Sequence, residues 1–263
     1  MLPTLEHPVD APIIFDSHAH YDDEKFDGVR DALLQSLPQY GVCGVISCGC
    51  DEKSSVYSVQ LCKKYSYFHA AIGIHPGNIA ADYEAQLAAV RALYGQDGIV
   101  AVGEIGLDYH YEPVQKAAQK AVFAAQLQLA KELDLPVIVH DREAHADTLE
   151  LLCKYQPRGV VHCFSGNVEL AQQVLRLGMY IGLGGAVTFK NARKPLEVAK
   201  AVPADRLLLE TDAPYMTPVP YRGKVCTSAH IALTAQTIAE ARGVSRDALL
   251  RCCAQNTRTL FGI

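Results

Sequence analysis

The sequence predicts a (β/α)₈ barrel of the TIM type that forms a single domain. Short apolar runs alternate eight times with longer amphipathic segments along the 263 residues, and such alternation gives a parallel sheet with right-handed crossovers. Eight units in a chain of this length close most simply into a barrel. An open doubly wound sheet is the competing fold, but no Gly-x-Gly-x-x-Gly follows the first strand to support a dinucleotide-binding version of it.

The predicted strands are continuous short apolar runs, which is the pattern of strands covered on both faces. Val137-Ile138-Val139 and Leu207-Leu208-Leu209 show it most clearly. In chain order the eight strands are Ile13–Ser17, Val42–Ser47, Phe68–Ile74, Ile99–Glu104, Pro136–His140, Gly159–Cys163, Met179–Leu183 and Arg206–Thr211.

Helices are predicted between the strands, where apolar residues recur at three- and four-residue spacing. Gln115–Leu133 is the longest of them and stops before a proline. Ser245 is the expected N-cap of an additional terminal helix, Ser245–Ala254. The others are Gly28–Tyr40, Lys53–Tyr65, Asp82–Tyr94, Glu143–Tyr155, Asn167–Leu177, Asn191–Ala201 and Ser228–Arg242.

The composition is that of an ordinary globular protein. Hydrophobic residues make up 49% and charged residues 20%. The net charge is −5, which argues against a basic surface that binds long double-stranded DNA. No apolar run is long enough for a membrane span, and the amino terminus does not resemble a secretory signal. We therefore expect no membrane partner, a loose tail over residues 1–11 and one domain over residues 12–263.

The nine cysteines are odd in number and include no Cys-x-x-Cys pair. This spacing argues against a disulfide framework or a zinc ribbon and favours a reducing cytoplasm. We expect most of the thiols to act as small buried hydrophobes.

Histidines and carboxylates lie at the carboxyl ends of the predicted strands, which meet at one mouth of a barrel. Taken singly, such a histidine is more often a structural hydrogen-bonding residue, and such a carboxylate more often a helix N-cap. Together they would form a costly cluster of half-buried polar groups unless something satisfied them. The residues are His18 and His20 at the first strand, Glu104 at the fourth, His140 at the fifth, His162 at the sixth and Asp212 at the eighth.

A pair of divalent metal ions would satisfy this cluster. His18 and His20 are two residues apart, so both side chains leave the same face of a strand and can chelate one ion. Glu104 is central and can bridge two ions, which at about 3.5–4 Å apart can clamp the oxygens of a displacement reaction. Imidazole with carboxylate suits Zn²⁺, Mn²⁺ or Fe²⁺, while Mg²⁺ prefers more oxygen ligands. The native ion stays open among Mg²⁺, Mn²⁺ and Zn²⁺.

Six segments carry a further pattern: Ile14-Phe15-Asp16-Ser17-His18-Ala19-His20, Gly73-Ile74-His75-Pro76, Gly103-Glu104-Ile105-Gly106-Leu107-Asp108-Tyr109, Pro136-Val137-Ile138-Val139-His140-Asp141-Arg142, Val161-His162-Cys163-Phe164-Ser165-Gly166 and Leu209-Glu210-Thr211-Asp212-Ala213-Pro214-Tyr215. In spacing and order they resemble the TatD family of metal-dependent hydrolases and deoxyribonucleases, within the amidohydrolase-like barrels. The resemblance covers nearly the whole chain. It implies one metal held by His18, His20, Glu104 and Asp212, and a second held by Glu104, His140 and His162.

The resemblance also implies an activity, because several family members remove nucleotides from the 3′ ends of DNA. We expect a hydrolase that cleaves phosphodiesters at the ends of single-stranded DNA with a metal-activated water. Asp212, Glu104 and His75 are the predicted catalytic residues, and Asp212 is the expected general base.

Three residues are predicted to contact the substrate. For His75 the resemblance implies a phosphate or catalytic contact, and the alternative is a structural histidine beside Pro76. The forked guanidinium of Arg142 suits a phosphate, and its alternative is a salt bridge to Glu143 or Asp147. Arg222 belongs to an Arg-Gly pair that the family shares.

The loop after Arg222 departs from the family pattern, because Val225–His230 replaces the residues that usually follow. We expect this departure to affect substrate choice rather than the metal site, and His230 to begin a helix rather than bind metal.

Asp108 and Tyr109, on the expected loop after Glu104, either orient the metal site or only shape the loop. Glu210 shares the strand face of Asp212, so we expect it to support the ligands.

Two other functions stay open at this point. Related barrels use the same metal constellation on amides, lactones and phosphotriesters, so hydrolysis of a small amide, lactone or phosphoester is the alternative. A metal-stabilised interaction protein without activity is the third hypothesis, against which the joint presence of six ligands argues. The expected partner is a DNA end or another phosphoester, and the expected state is a monomer.

Overall fold

Eight parallel strands form one sheet whose spatial order is the order of the chain. The computed structural model describes residues 12–111 and 115–263, so the predicted tail, residues 1–11, lies outside the described residues. The first and last strands meet at a parallel bridge between Ala19 and Ala213. His20 N–H donates to the Ala213 carbonyl at 2.7 Å, and Asp212 N–H donates to the His18 carbonyl at 3.0 Å. The sheet is thus a nearly closed barrel, and the predicted fold is confirmed.

The apolar runs named from the sequence all form strands, because each is buried between the barrel interior and the surrounding helices. The strands are β1 (Ile14–Ala19), β2 (Val42–Cys48), β3 (Phe68–Ile72), β4 (Ile99–Asp108), β5 (Val137–Arg142), β6 (Gly159–Val161), β7 (Tyr180–Leu183) and β8 (Leu207–Leu209).

Helices alternate with these strands around the outside of the barrel, as predicted. Within the described residues they are α1 (Arg30–Ser36), α2 (Glu52–Lys64), α3 (Tyr83–Arg91), α4 (Lys116–Leu133), α5 (His145–Tyr155), α6 (Val168–Arg176), α7 (Arg193–Ala201), α8 (Ile231–Arg242) and α9 (Arg246–Phe261). None of these is long and apolar enough to cross a membrane.

Several strand ends differ from the sequence prediction: β1, β2, β4 and β5 run further than predicted, and β3, β6 and β8 stop earlier. β4 continues four residues beyond Glu104 because Ile105–Asp108 pair with Val139–Arg142 of β5 after a shift in register. Glu104 therefore lies inside its strand rather than at its end. β3 and β8 stop earlier than predicted, so His75 and Asp212 lie beyond them. Asp212 has a left-handed backbone with φ of 60°, which no β-strand accommodates.

Two helices also differ. The predicted helix Gly28–Tyr40 is divided into α1 and a 3₁₀ turn, Leu37–Tyr40, because Pro38 has no N–H to continue the α-helical ladder. Ser245 caps α9 as predicted, since its side chain accepts from Ala248 N–H at 3.2 Å, but α9 continues past Ala254 to Phe261.

The added turns of α9 pack against the interior of the barrel. Leu260 and Phe261 are buried in the same cluster as Phe15 of β1, Ile138 of β5 and Leu208 of β8. These strand residues lie below the mouth, so the end of α9 covers the opposite opening of the barrel. Burial there, rather than local periodicity, extends the helix.

We expect Phe261→Ala to lower the free energy of unfolding by about 3 kcal/mol, because it removes a buried aromatic ring and leaves a cavity. Urea denaturation measures this change. Gln255→Ala, at an exposed position of the same helix, is the matched control and should change stability by less than about 0.5 kcal/mol. Equal losses from the two variants would contradict the packing role of the helix end.

Candidate metal centre

The structure brings all six predicted ligands to the mouth at the carboxyl ends of the strands. His18 lies in β1, Glu104 within β4 and His140 in β5, while the other three directly follow β1 or lie beyond the ends of β6 and β8. Most of their side chains are buried or half-buried, which is unusual for so many titratable groups in one place. They are His18, His20, Glu104, His140, His162 and Asp212.

One oxygen of Glu104 faces the histidines of β1. Its Oε2 lies 3.4 Å from His18 Nε2 and 3.3 Å from His20 Nε2, and the two ring nitrogens are 2.9 Å apart. Asp212 Oδ1 lies 3.6 Å from His18 Nε2 and 3.4 Å from His20 Nε2. Two imidazoles and two carboxylates therefore point their donor atoms at one small volume.

The other oxygen of Glu104 faces a second group of histidines. Oε1 lies 2.8 Å from both His140 Nδ1 and His162 Nε2, and these two nitrogens are 3.3 Å apart. His75 Nε2 is 3.6 Å from the same oxygen. His75, Glu104 and His140 can together hold an ion, as can His18, His20 and Glu104. Glu104 is the residue that the two groups share.

Hydrogen bonds behind the ligands leave the correct ring nitrogens free for metal. His20 Nδ1 is 3.0 Å from the Cys48 carbonyl, which can only accept, so Nδ1 carries a proton and Nε2 is the nitrogen that faces the centre. His140 Nε2 is 3.1 Å from Asp108 Oδ2, which keeps a proton on Nε2 and turns Nδ1 towards the centre. Such outer contacts orient the histidines of metal sites. The donor set and its support thus fit divalent metal.

Burial and neighbouring charges set the protonation of the cluster. Burial, reinforced by His162, lowers the pKa of His18 to about 4. Burial opposes the ionisation of Glu104, but the histidines around it hold the pKa of this carboxyl well below its usual range. Burial likewise disfavours the charged form of His140, yet Asp108 and Glu104 raise its pKa to about 10. Without metal, a proton therefore occupies a nitrogen that an ion would need.

Asp16 ties the two sides of the site together, a role that the sequence analysis did not assign. It is fully buried and accepts from Thr211 N–H at 3.0 Å, Thr211 Oγ1 at 2.6 Å and Ser228 Oγ at 2.7 Å. Burial raises the pKa of Asp16 to about 6. These bonds join β1, which carries His18, to the segment that carries Asp212.

Asp108 and Glu210 lie beside the ligands, and the structure defines their positions and contacts. Asp108 is the last residue of β4 rather than part of a loop, and it contacts His140 directly. Glu210 is buried, accepts from Cys163 N–H, and its Oε1 lies 4.0 Å from His162 Nδ1. Within the described residues, His162 Nδ1 and Glu210 Oε2 have no hydrogen-bond partner. The carboxyl of Glu210 is thus next to a ligand, and burial raises its pKa to about 7.

A cavity of about 670 Å³ opens above the centre. Arg142 lines it, and its Nη1 donates to Tyr111 Oη at 3.0 Å. In the alternative reading Arg142 would pair with Glu143 or Asp147, but Glu143 contacts His110 at 2.7 Å and Asp147 contacts Lys120 at 3.2 Å. His75 also lines the cavity.

Arg222, predicted to contact the substrate, does not line this cavity. Its guanidinium carbon lies 3.8 Å from the centre of the Phe189 ring. His230 ends a short 3₁₀ turn immediately before α8, where its Nδ1 accepts from Thr227 N–H at 3.0 Å. The expectation that His230 begins a helix is confirmed.

Several residues that line the cavity were given no role from the sequence, among them Cys50, Tyr111 and Tyr215. Cys50 is only half-buried, and its Sγ lies 3.7 Å from His20 Nδ1 and 3.8 Å from Glu104 Oε2. Burial raises the pKa of this thiol to about 11. Its position two residues after β2 was the available signal, but the general treatment of cysteines as buried hydrophobes concealed it.

We expect Zn²⁺ binding at pH 7 to release protons and to weaken as the pH is lowered. The reason is that His140, with a pKa of about 10, must lose its proton before Nδ1 can bind an ion. Calorimetric titrations in two buffers of different ionisation enthalpy count the protons. Asp108→Asn removes the carboxylate that raises this pKa and should release fewer of them. A binding heat that does not depend on the buffer would contradict the assignment.

We expect Glu104→Gln to lose more metal than a change of any single histidine, because only Glu104 faces both groups. Elemental mass spectrometry of the desalted protein measures the metal content. His75→Ala is the comparison, and it should retain metal because we assign His75 to the substrate. Equal losses from His140→Ala and Glu104→Gln would count against a bridging carboxylate, and metal loss from His75→Ala would make His75 a ligand.

Comparison with known proteins agrees with this geometry. The family model described as TatD related DNase matches residues 15–262. The uncharacterized metal-dependent hydrolase YabD of Bacillus subtilis is 36% identical over 254 residues, which cover 95% of this chain and 100% of YabD. A protein named 3′-5′ ssDNA/RNA exonuclease TatD, from Cronobacter sakazakii, is 36% identical over 78% of this chain and 80% of its own length.

A solved structure shares both the fold and the extent of the chain. The crystal structure of YjjV, a TatD homologue from Escherichia coli, superposes with a TM-score of 0.90 at 33% identity, covering 95% of this chain and 98% of YjjV. The similarity thus includes the whole barrel and the strand ends on which the ligands lie. This chain belongs to the TatD family of metal-dependent hydrolases.

Proposed function

We propose that this hydrolase cleaves phosphodiesters at the 3′ end of single-stranded DNA. The observation that carries the proposal is the buried carboxylate of Glu104, whose two oxygens face two separate groups of histidines at the bottom of one open cavity. Two-ion sites of this kind suit the displacement of an oxygen at phosphorus. The exonuclease name of the relative from Cronobacter sakazakii supports the same substrate class.

Different residues of the chain would contribute to different steps of such a reaction. Divalent ions bound at the centre would supply the Lewis acidity that activates water and stabilises negative charge on a phosphate. Burial disfavours an ionised Asp212, but His20 and His18 hold its pKa below the usual range. Asp212 is therefore a carboxylate at neutral pH and can accept the proton of the attacking water.

Two further side chains are placed to hold the phosphate. His75 and Arg142 both line the cavity, and burial lowers the pKa of His75 to about 4. A neutral His75 can donate one hydrogen bond to a phosphate oxygen while Arg142 supplies a forked, permanently charged donor. Together they stabilise the charge that develops on the phosphate.

The shape and charge of the cavity favour a free strand end over a duplex. The reacting centre lies among buried side chains, so a base-paired interior phosphate cannot reach it. Arg142 is the one arginine or lysine among the described residues that line the cavity, which also contains Asp22, Asp23 and Asp141. A long polyanion would find little attraction there.

The monomeric state and a cytoplasmic location stay predictions.

We expect metal-dependent release of nucleotides from a 3′-labelled single-stranded DNA, with loss in chelator and recovery when Mn²⁺, Zn²⁺ or Mg²⁺ is returned. Asp212→Asn should abolish release, because the amide cannot accept the proton. His75→Ala should retain metal and slow release by about 10²–10³-fold, because the transition state loses one donor.

A parallel panel of substrates distinguishes the alternatives. Turnover of a small amide, lactone or phosphotriester without nucleotide release would replace the proposal with the broader amidohydrolase-like activity. Absence of any turnover by the fully metal-loaded protein would favour a binding role. A blunt duplex of the same sequence is the control, and it should be cleaved much more slowly than the single strand.

A further inference from the structure

We propose that Tyr111 and Tyr215 are two stacking platforms that hold the terminal nucleobases of the strand at the rim of the cavity. This inference rests on the proposed function and names how the same site recognises its substrate. Both tyrosines line the cavity that opens above the metal centre. Both are also among the most exposed large apolar side chains of the described residues, at 66% and 45% exposure.

Each ring is held in place by its phenol group. Tyr111 Oη accepts from Arg142 Nη1 at 3.0 Å, and Tyr215 Oη donates to Asp23 Oδ2 at 2.6 Å. Because the hydroxyl groups are anchored, the rings lose little further freedom when a flat ligand settles on them. A rigid tyrosine of this kind offers contact area at low entropic cost.

Each ring is also paired with a cation. The guanidinium carbon of Arg142 lies 5.0 Å from the centre of the Tyr111 ring, and Lys25 Nζ lies 3.8 Å from the centre of the Tyr215 ring. An aromatic ring beside a basic group is the combination with which proteins hold single-stranded nucleic acid without reading its sequence. Tyr111, Arg142 and Tyr215 line the cavity, whereas Lys25 lies in the 3₁₀ turn Glu24–Phe26, outside the lining.

The negative charge at the rim of the cavity is the reason to attribute the binding affinity to the nucleobases rather than to the phosphates. Asp22, Asp23 and Asp141 line the cavity, and Arg142 is the one arginine or lysine in its described lining, so phosphates that lie at the rim, away from the centre, meet more negative than positive charge. Binding of the strand end therefore has to come from uncharged surface. The tyrosine rings are the exposed uncharged surface of sufficient size within the described lining, and every nucleobase has a face that can stack on them.

The test measures both binding and turnover, so that the platforms and the nuclease activity can fail separately. The probe for binding is a 5′-labelled single-stranded hexanucleotide followed by fluorescence anisotropy with chelator-treated protein. The probe for turnover is the same oligonucleotide with metal-loaded protein, either with natural 3′-terminal nucleotides or with two abasic residues at that end.

We expect Tyr111→Leu and Tyr215→Leu each to raise Kd and KM for the natural end by about tenfold, with a smaller change in kcat. For the abasic end, the variants and the unchanged protein should be alike. Tyr111→Phe and Tyr215→Phe keep the ring and should retain most of the affinity. Tyr155→Leu is the matched control, because Tyr155 also has a lysine beside its ring, Lys154 at 5.4 Å, but does not line the cavity.

The measurements distinguish failure of the stacking platforms from failure of the proposed nuclease activity. Normal nucleotide release with unchanged Kd and KM in both leucine variants would overturn the platforms and leave the proposed function standing. Base-dependent binding that the variants weaken, without any nucleotide release, would support the platforms and overturn the nuclease. An equal loss for natural and abasic ends would show that the tyrosines only brace the loops, and would also overturn the inference.

Discussion

The buried carboxylate of Glu104 is the constraint on which the rest of the site depends. It is 3% exposed and lies in the interior of β4, where an unpaired charge would be strongly unfavourable. Its two oxygens are satisfied only because β1 brings histidines to one side and β5 and β6 bring histidines to the other. A barrel supplies this convergence, because parallel strands carry their carboxyl ends to one mouth.

The same contacts that orient the ligands also close the barrel. Asp16 joins β1 to Thr211 and Ser228 through buried hydrogen bonds, and His18 and His20 exchange backbone bonds with the segment after β8. Continuation of β4 to Asp108 places that carboxylate behind His140. Metal binding and fold closure are thus properties of one hydrogen-bonded structure, and a change in either affects the other.

The sequence was sufficient to predict the strands and the six side chains that converge at the mouth, but not the ends of the elements or the residues of the rim. Continuous apolar runs identify strands because burial on both faces requires them. The ends of β3 and β8 depend on turns that local hydrophobicity does not encode, such as the left-handed backbone of Asp212. The end of α9 looks polar in sequence, and only the open end of the barrel shows which of its faces is buried. Cys50, Tyr111 and Tyr215 meet because separate loops converge, which no local pattern records.

Charge links substrate binding to the metal centre. The cavity contains Asp22, Asp23 and Asp141 besides the carboxylates of the centre, with Arg142 as the one arginine or lysine in its described lining. A phosphate approaching the metal-free protein would therefore meet net negative potential. Under the proposed function, divalent ions held by the centre would reverse that balance at the bottom of the cavity, so only the phosphate that reaches this point would gain from their charge. Attraction would then be confined to the bond that is to be cleaved, and the remainder of the proposed strand would depend on stacking at the rim.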